Sequence, residues 1–305
     1  MSELNLFKIT KDGQTNVGIA QEMQPSSVLL EKELQVIIEE NMESFFGVKF
    51  LASEYVIREG RMDSIGIDEN GCPVIFEYKR NQNENVINQG LFYLDWLLDH
   101  RGDFENLVWR KLGEDWRDKI DWAAPCVICI AYEFKKYDLH AVNQMQKNIK
   151  LVKYRKYGDG IILFDHVNSP VQVQTVPVSE NAVASHSGQK TFVQKLATLN
   201  DDLKSVYDSL CEYIESLGDD LTRTQLKLYA AYRKVKNVFC IEVYNSQIII
   251  RTKLNPENET LEIGFTRDTR NIGHYGTGDF EITIRSKEDF EKAKPLLERA
   301  YQEAD

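Results

Sequence analysis

The spacing of apolar residues changes along the first half of the chain, and each spacing predicts a different element. Residues 29–46 and 85–99 carry apolar side chains at helical spacing, and a further helix is expected at 139–146. Short runs rich in Ile, Val, Phe and Tyr predict β-strands at residues 6–9, 50–57, 60–68, 72–80, 126–131, 149–157 and 160–165. This order of elements predicts an α/β (α+β) fold with a mixed sheet flanked by helices.

A second group of elements follows a stretch of different composition. Residues 168–190 are rich in Val, Ser, Gln and Asn and lack large apolar side chains, which is typical of a linker. The elements predicted beyond it are two helices and four strands, at 203–217, 287–301, 238–243, 247–252, 261–265 and 280–284. The predicted domains are an N-terminal arm (1–27), a first domain (28–170), a linker (171–190) and a C-terminal α+β accessory domain (191–305).

Charged side chains interrupt the apolar pattern of one predicted hairpin. Residues 69–71 are expected to form a three-residue turn, in which Gly71 takes the left-handed position. Residues whose numbers sum to 140 then face each other, which places Asp63 opposite Glu77. Because strand side chains alternate between faces, Lys79 lies on the same face as Glu77. Two carboxylates and an ammonium group are therefore expected to converge on one patch of the sheet.

Such a cluster has no obvious role in stability, because unpaired buried charge is costly. The oxygens of Asp63 and Glu77 suit Mg²⁺ or Mn²⁺, the cofactors we expect. The metal would polarise a scissile phosphate, and Lys79 would position the attacking water or stabilise developing charge. The alternative is a structural ion-pair cluster, because ion-pair networks also gather charged side chains.

The same residues carry a family resemblance. Asp63 followed by Glu77-x-Lys79 resembles the PD-(D/E)XK nuclease superfamily, although Met62 replaces the Pro for which the motif is named. The surrounding sequence over residues 28–170 is similar to the NucS/EndoMS-type endonuclease domain. The resemblance implies a restriction-endonuclease-like fold and metal-dependent hydrolysis of DNA. It also implies a homodimer.

Two helices are expected to add residues to this site. Glu31 falls within the apolar stripe of the first helix and is the expected third metal ligand, as the resemblance also indicates. Glu33 lies nearer the edge of that stripe, and the helix dipole alone would favour acidic residues in the first turn. Gln89 and Tyr93 share one face of the second helix. The resemblance implies that they orient water or phosphate, whereas the alternative is an amide and a phenol at a helix–sheet boundary.

A strand in the first domain carries the densest mixture of basic and aromatic residues. Lys153, Arg155 and Lys156 are interleaved with tyrosines, which suits phosphate contacts combined with base stacking. The same pattern is equally typical of the solvent-exposed face of an edge strand. We name these three residues the strand cations.

The C-terminal domain contains a glycine-rich segment with candidate anion ligands. Arg267, Arg270 and His274 lie near three glycines that would let backbone amides approach an anion. The preferred interpretation is that the segment shapes a long strand connection. This half of the chain resembles a domain of unknown function that often follows nucleases of this kind.

Composition limits these interpretations. Hydrophobic residues at 42% and charged residues at 28% describe an ordinary globular chain, and no apolar run is long enough to cross a bilayer, so no membrane association is expected. A net charge of −11 argues against general coating of nucleic acid but allows a local basic groove. Five cysteines without framework spacing indicate a reducing, cytoplasmic setting. Cys126 and Cys129 share a strand but point to opposite faces, so they are expected in the core.

The leading hypothesis is therefore a Mg²⁺- or Mn²⁺-dependent endonuclease that cleaves DNA, with branched or mismatched DNA as candidate substrates, in repair or defence. One alternative is a catalytically silent module that keeps the nuclease fold and binds nucleic acid or protein. Another is a small-anion-binding protein that uses the glycine-rich segment. Cleavage of DNA would separate the first hypothesis from both alternatives.

Overall fold

The computed structural model describes residues 6–11, 18–26, 28–79, 86–145, 147–167 and 190–304. In these ranges it contains two six-stranded sheets, a separate two-stranded hairpin and helices that cover both sheets. The predicted α+β class, with a mixed sheet flanked by helices and a second sheet domain, is confirmed. None of the helices in the described ranges combines the length and the apolarity needed to cross a membrane.

The first half of the chain forms the mixed sheet, with strand order β3-β4-β5-β6-β7-β8. Its elements are β1 (Phe7–Lys11), β2 (Gly18–Glu22), α1 (Glu31–Phe46), β3 (Val48–Ile57), β4 (Gly60–Asp68), β5 (Pro73–Lys79), α2 (Val86–Asp99), α3 (Arg101–Leu112), α4 (Glu114–Arg117), β6 (Cys126–Ala131), α5 (Lys136–Gln144), β7 (Ile149–Tyr157) and β8 (Ile161–His166). Strands β3, β4 and β5 are antiparallel, β5, β6 and β7 are parallel, and β8 returns antiparallel to β7. The crossover helices α2, α3 and α5 cover one face of this sheet, and α1 covers the other.

The alternation of side chains along the strands explains why helices cover both faces. Phe76 and Tyr78 point towards α1 and pack in one buried cluster, whereas Ile75 points towards α2 and packs in another. Cys126 and Cys129 also divide between these two clusters, as strand geometry requires, and both are buried free thiols. The predicted core positions of Phe76 and Tyr78, and of the two cysteines, are therefore confirmed.

The second half of the chain forms a separate antiparallel sheet with strand order β13-β14-β12-β11-β10-β9. Its elements are α6 (Phe192–Leu196), α7 (Asp201–Ser216), β9 (Thr222–Gln225), β10 (Ala230–Arg233), β11 (Asn237–Tyr244), β12 (Gln247–Thr252), β13 (Thr266–Asp268), β14 (Phe280–Ile284) and α8 (Lys287–Gln302). Helices α7 and α8 bury an apolar cluster against one face. The other face carries a buried ion-pair chain in which Arg251 contacts Glu242 at 3.0 Å and Glu281 at 2.6 Å.

One predicted strand is wrong, and several elements were not predicted. Residues 261–265 are not a strand: 263–265 form a turn in which Gly264 has a φ of 84°, and the strand begins only at Thr266. The apolar side chains that suggested a strand, Leu261 and Ile263, are exposed. Strands β2, β9 and β10 and helix α3 have weak apolar patterns and were not predicted. The predicted linker, apart from Lys190, lies outside the described residues.

The turn between β4 and β5 contacts the second domain. Asp68 and Arg233 form a buried ion pair of 2.7 Å, and the hydroxyl of Tyr229 donates to Asn70 Oδ1 at 3.0 Å. The side chain of Asn237 donates to the same Asn70 oxygen at 2.6 Å. Each buried polar group in this contact therefore has a partner. The two sheets are joined through the end of the hairpin that lies away from Glu77.

Candidate active site where β4 and β5 diverge

The β4–β5 pairing follows the predicted register, since Ser64 pairs with Phe76 and their numbers sum to 140. The ladder ends at that pair, and side chains occupy the next position. The backbone N–H of Asp63 donates to Glu77 Oε1 at 3.3 Å, and the N–H of Tyr78 donates to Asp63 Oδ2 at 3.0 Å. The two strands therefore diverge at the position where Asp63 and Glu77 face each other. Their carboxylates fill the gap and hold its two edges together.

Burial makes this pair of carboxylates electrostatically unfavourable. Glu77 is 1% exposed, and burial, followed by the negative charge of Asp63, raises its pKa from 4.5 to about 8. Burial also raises the pKa of Asp63, although its hydrogen bond from Tyr78 and the charge of Lys79 oppose the change. The ammonium of Lys79 thus only partly offsets the two negative charges. A further cation at this position would favour the ionised form of both carboxylates.

Lys79 connects the carboxylates to α1. Its Nζ lies 3.5 Å from Glu31 Oε1, and the lysine side chain is only 12% exposed whereas that of Glu31 is 40% exposed. Glu33 has a different role, because its Oε2 accepts the backbone N–H of Leu30 at 3.1 Å and so caps the start of α1. Of the two glutamates considered from the sequence, the structure places Glu31 beside Lys79.

The second helix contributes its predicted residues in different ways. Tyr93 is buried in the core beneath α2, and its hydroxyl accepts the backbone N–H of Arg61 at 3.2 Å, close in sequence to Asp63. Gly60 allows this approach, because a Cβ there would lie 2.9 Å from the tyrosine hydroxyl. Gln89 is exposed on the same helix. Tyr93 therefore fixes the backbone of β4, whereas a role for Gln89 in orienting water or phosphate stays a prediction.

Gln35 on α1 belongs to the site and was not predicted. It is 3% exposed, and its Nε2 donates to the backbone carbonyl of Asp63 at 2.8 Å and to Ser53 Oγ at 3.1 Å. The sequence did contain a signal, because Gln35 lies between Leu34 and Ile38 on the apolar stripe of the helix. A buried amide on such a stripe must find hydrogen-bond partners, and here it holds the backbone of Asp63.

Glu54 is a second residue that was not predicted. Its backbone φ is 53°, in the left-handed region that a non-glycine residue seldom adopts, and it lies in β3 next to the diverging strands. Its carboxylate pairs with Arg61 at 2.5 Å and with Lys32 at 3.3 Å, and its negative charge contributes to the raised pKa of Asp63. The sequence pattern gave no sign of this conformation.

The donor set is suited to a hard divalent cation that keeps part of its hydration. Within the described residues, no three Asp, Glu, His or Cys side chains are arranged as a metal-binding group. Mg²⁺ sites, however, commonly use one or two carboxylates together with water and substrate phosphate. Asp63 and Glu77 each commit one oxygen to a backbone N–H, and their other oxygens accept no hydrogen bond from the described residues. Two carboxylate oxygens therefore remain available to a cation.

The strand cations, which lie on β7, all make ion pairs with acidic residues in neighbouring loops. Glu133 contacts both Lys153 and Arg155, and Lys156 lies 3.8 Å from Asp159. The guanidinium of Arg155 also stacks on the ring of a neighbouring tyrosine. Contact with DNA would require these cations to exchange carboxylates for phosphates. Their role in DNA binding stays a prediction.

The predicted anion ligands of the second domain are likewise paired. Arg267 contacts Glu281 at 2.9 Å, and Arg270 contacts Glu257 at 2.6 Å as well as a neighbouring aspartate. The Nε2 of His274 lies 4.0 Å from an aspartate carboxylate. In the observed arrangement the ion pairs of these side chains lie within or beside the long connection between β13 and β14. Anion binding by this segment stays a prediction.

Comparison with known proteins gives matches for each half of the chain. Residues 193–304 match the family model described as "Domain of unknown function (DUF5655)". Over 299 residues the chain is 27% identical to an uncharacterized protein of Haemophilus influenzae, a match that covers 94% of this chain and 97% of that protein. The expectation of a C-terminal domain of unknown function thus agrees with the family model.

Among solved structures, the chain overlaps a repair endonuclease from Pyrococcus abyssi with 20% identity and a TM-score of 0.28, covering 43% of this chain and half of that one. It overlaps EndoMS bound to double-stranded DNA with 16% identity and the same TM-score of 0.28, covering 49% of this chain and 65% of that one. A TM-score of 0.28 is too low to transfer an activity. The function must therefore be inferred from the side chains of the site.

Proposed function

We propose that the chain is a Mg²⁺- or Mn²⁺-dependent endonuclease that hydrolyses phosphodiester bonds in DNA. The observation that carries this proposal is the pair of carboxylates at the diverging ends of β4 and β5, where Asp63 and Glu77 are held by backbone amides beside Lys79. The sequence resemblance to PD-(D/E)XK nucleases supports DNA as the substrate. Branched and mismatched DNA are the substrates to test first.

Some residues of the site would bind the cation, and others orient those that do. Asp63 and Glu77 would hold the cation through their carboxylates, and Gln35 fixes the backbone of Asp63 through its carbonyl. When bound, the cation would act as a Lewis acid on the scissile phosphate and increase the acidity of the attacking water. These roles require both carboxylates to be ionised, which the cation favours over the protonated state that burial alone would impose.

Lys79 supplies positive charge beside the carboxylates. Its ammonium is nearly buried and is held by Glu31, so it is oriented before substrate arrives. A fixed cation of this kind stabilises negative charge that develops on the phosphate oxygens as the water oxygen bonds to phosphorus and the departing oxygen leaves. Glu31 acts in this scheme by positioning Lys79, and it is available as a further oxygen ligand.

Cleavage of labelled DNA tests the proposal. Purified protein is incubated with linear, single-stranded, branched and mismatched DNA, with Mg²⁺, with Mn²⁺ or with EDTA. We expect cleavage only with a divalent cation, and a loss of about a hundredfold or more in Glu77→Gln, because the residue would bind the cation in the reacting state. Glu212→Gln is the matched control, since Glu212 is exposed on α7 and distant in sequence from the site.

The outcomes separate the hypotheses. Equal cleavage by the wild type and Glu77→Gln would indicate a contaminating nuclease and contradict the proposal. Binding of DNA without cleavage under every condition would instead favour the catalytically silent module. Light scattering on the same preparation measures whether the protein is a homodimer, which stays a prediction.

A further inference from the structure

A cavity lies between the two domains, at the end of β5 opposite to Lys79. Apolar side chains of α1 and the first sheet, including Phe46 and Val74, form part of its wall. Asn148 and Lys150 add polar groups from the first domain, and Thr224 and Arg233 add them from the second. The cavity is therefore built by both domains and is separate from the proposed active site.

The charges around this cavity do not balance. Arg233 is neutralised by Asp68 at 2.7 Å, and the other oxygen of Asp68 accepts the backbone N–H groups of Asn70 and Cys72, each at 2.9 Å. The carboxylate of Asp68 thus already accepts three hydrogen bonds. Lys150 makes no hydrogen bond or ion pair with any residue in the described part of the chain. Among the described residues that line the cavity, two cations, Lys150 and Arg233, therefore face one carboxylate, that of Asp68.

Lys150 differs in this respect from the other lysines of its strand. Lys153 and Lys156 each have a carboxylate partner, Glu133 and Asp159 respectively. Lys150 is partly exposed, yet burial among protein atoms lowers its pKa below the usual lysine value. A desolvated ammonium of this kind is stabilised by an anion that enters the cavity.

We propose that this cavity binds a small oxyanion of the phosphate class, with Lys150 as its principal ligand. The hydroxyl of Thr224 and the amide of Asn148 line the same space and can donate hydrogen bonds to oxyanion oxygens. A phosphate carries several oxygen acceptors, so it can accept hydrogen bonds from all three of these side chains at once. Because its walls come from both domains, bound anion stabilises their docked arrangement.

This proposal stands apart from the nuclease proposal. Lys150 and Val74 lie at the cavity, whereas Glu77 and Lys79 lie at the other end of β5. The Glu77→Gln variant should therefore bind phosphate as the wild type does, even if it cleaves no DNA. Failure of the nuclease proposal would leave phosphate binding unchanged.

Calorimetric titration of the full chain with inorganic phosphate, at constant ionic strength, tests the site. We expect saturable binding that weakens about tenfold or more in Lys150→Met, because the variant keeps the apolar stem and loses the charge. Lys150→Arg should retain binding, and Thr224→Val should weaken it if both domains contribute. Lys204→Met is the control, since it removes the same charge from the exposed surface of α7.

A second ligand tests whether the bound phosphate belongs to a nucleic-acid terminus or is a free anion. A 5′-phosphorylated dinucleotide is titrated in parallel with inorganic phosphate. Tighter binding of the dinucleotide that also depends on Lys150 would identify a nucleic-acid terminus as the source, whereas binding of inorganic phosphate alone would identify a free anion. The proposal is overturned if the wild type shows no saturable phosphate binding, or if Lys150→Met binds phosphate with unchanged Kd while circular dichroism shows that it is folded.

Discussion

Replacing Glu77 by glutamine should stabilise the cation-free protein at alkaline pH, although it removes a residue of the proposed active site. Burial and the charge of Asp63 raise the pKa of Glu77 from 4.5 to about 8. An acid whose pKa is raised by folding contributes stability that is fully present below the unfolded pKa and is lost as the pH rises through the folded pKa. Glutamine has no proton to lose, and its side-chain oxygen can still accept the N–H of Asp63.

The magnitude follows from the difference between the two pKa values. The pKa of Glu77 rises from 4.5 to about 8, and a tenfold change in proton affinity corresponds to about 1.4 kcal/mol, so ionising Glu77 in the folded chain costs about 5 kcal/mol once the pH exceeds about 8. Small proteins are typically stable by only about 5–15 kcal/mol, so the effect is a large share of the total. It is absent below the unfolded pKa, where glutamate is protonated in both states.

Urea denaturation in EDTA measures this effect. The free energy of unfolding is determined for the wild type and Glu77→Gln at about pH 5 and about pH 9, and the difference between the variants is compared at the two pH values. Between about pH 5 and about pH 9, the free energy of unfolding of Glu77→Gln should rise by several kcal/mol relative to that of the wild type. Glu212→Gln should show no such shift. If the difference between the wild type and Glu77→Gln did not change with pH, the pKa of Glu77 would not be raised in the folded protein.

Three further predictions follow from other contacts of the described structure. Gln35→Met should lose the hydrogen bond to the Asp63 carbonyl, which costs about 1–3 kcal/mol in thermal unfolding, and should slow DNA cleavage more than Mg²⁺ binding. Asp68→Asn should leave Arg233 buried without its counter-charge and destabilise the chain by about 3–5 kcal/mol, measured by urea denaturation. Neutralising the strand cations should make DNA binding less sensitive to salt. In a plot of the logarithm of the binding constant against the logarithm of salt concentration, the slope should fall by about one for each phosphate contact that is lost, and an unchanged slope would contradict their role.

The hairpin register was predictable because its turn is encoded locally. Gly71 has the left-handed φ of 82° that the three-residue turn requires, and this fixes the pairing as far as Ser64 and Phe76. Local pattern therefore placed Asp63 opposite Glu77. It did not reveal that the ladder stops one pair earlier, because that depends on side-chain hydrogen bonds to the backbone.

Residues whose partners lie far away in sequence were not predictable in this way. Asp68 and Asn70 have the composition of an exposed turn, yet each is 5% exposed because the second domain covers them. Gln35 is an ordinary polar residue until helix α1 packs against β4. Glu54 adopts a left-handed backbone conformation without any sequence signal. In each case the tertiary contact, rather than the local pattern, determines the role of the residue.

Addition of Mn²⁺ should reverse the order of stability between the wild type and Glu77→Gln at about pH 8. A divalent cation held by Asp63 and Glu77 favours the ionised carboxylates, so it offsets the cost that burial imposes on the cation-free protein. It stabilises the folded state in proportion to the logarithm of its concentration above Kd. Glu77→Gln lacks one of the two charged ligands and should gain little. Equal stabilisation of both proteins by Mn²⁺ would mean that the cation binds elsewhere, and the raised pKa of Glu77 would then be a structural feature without a role in metal binding.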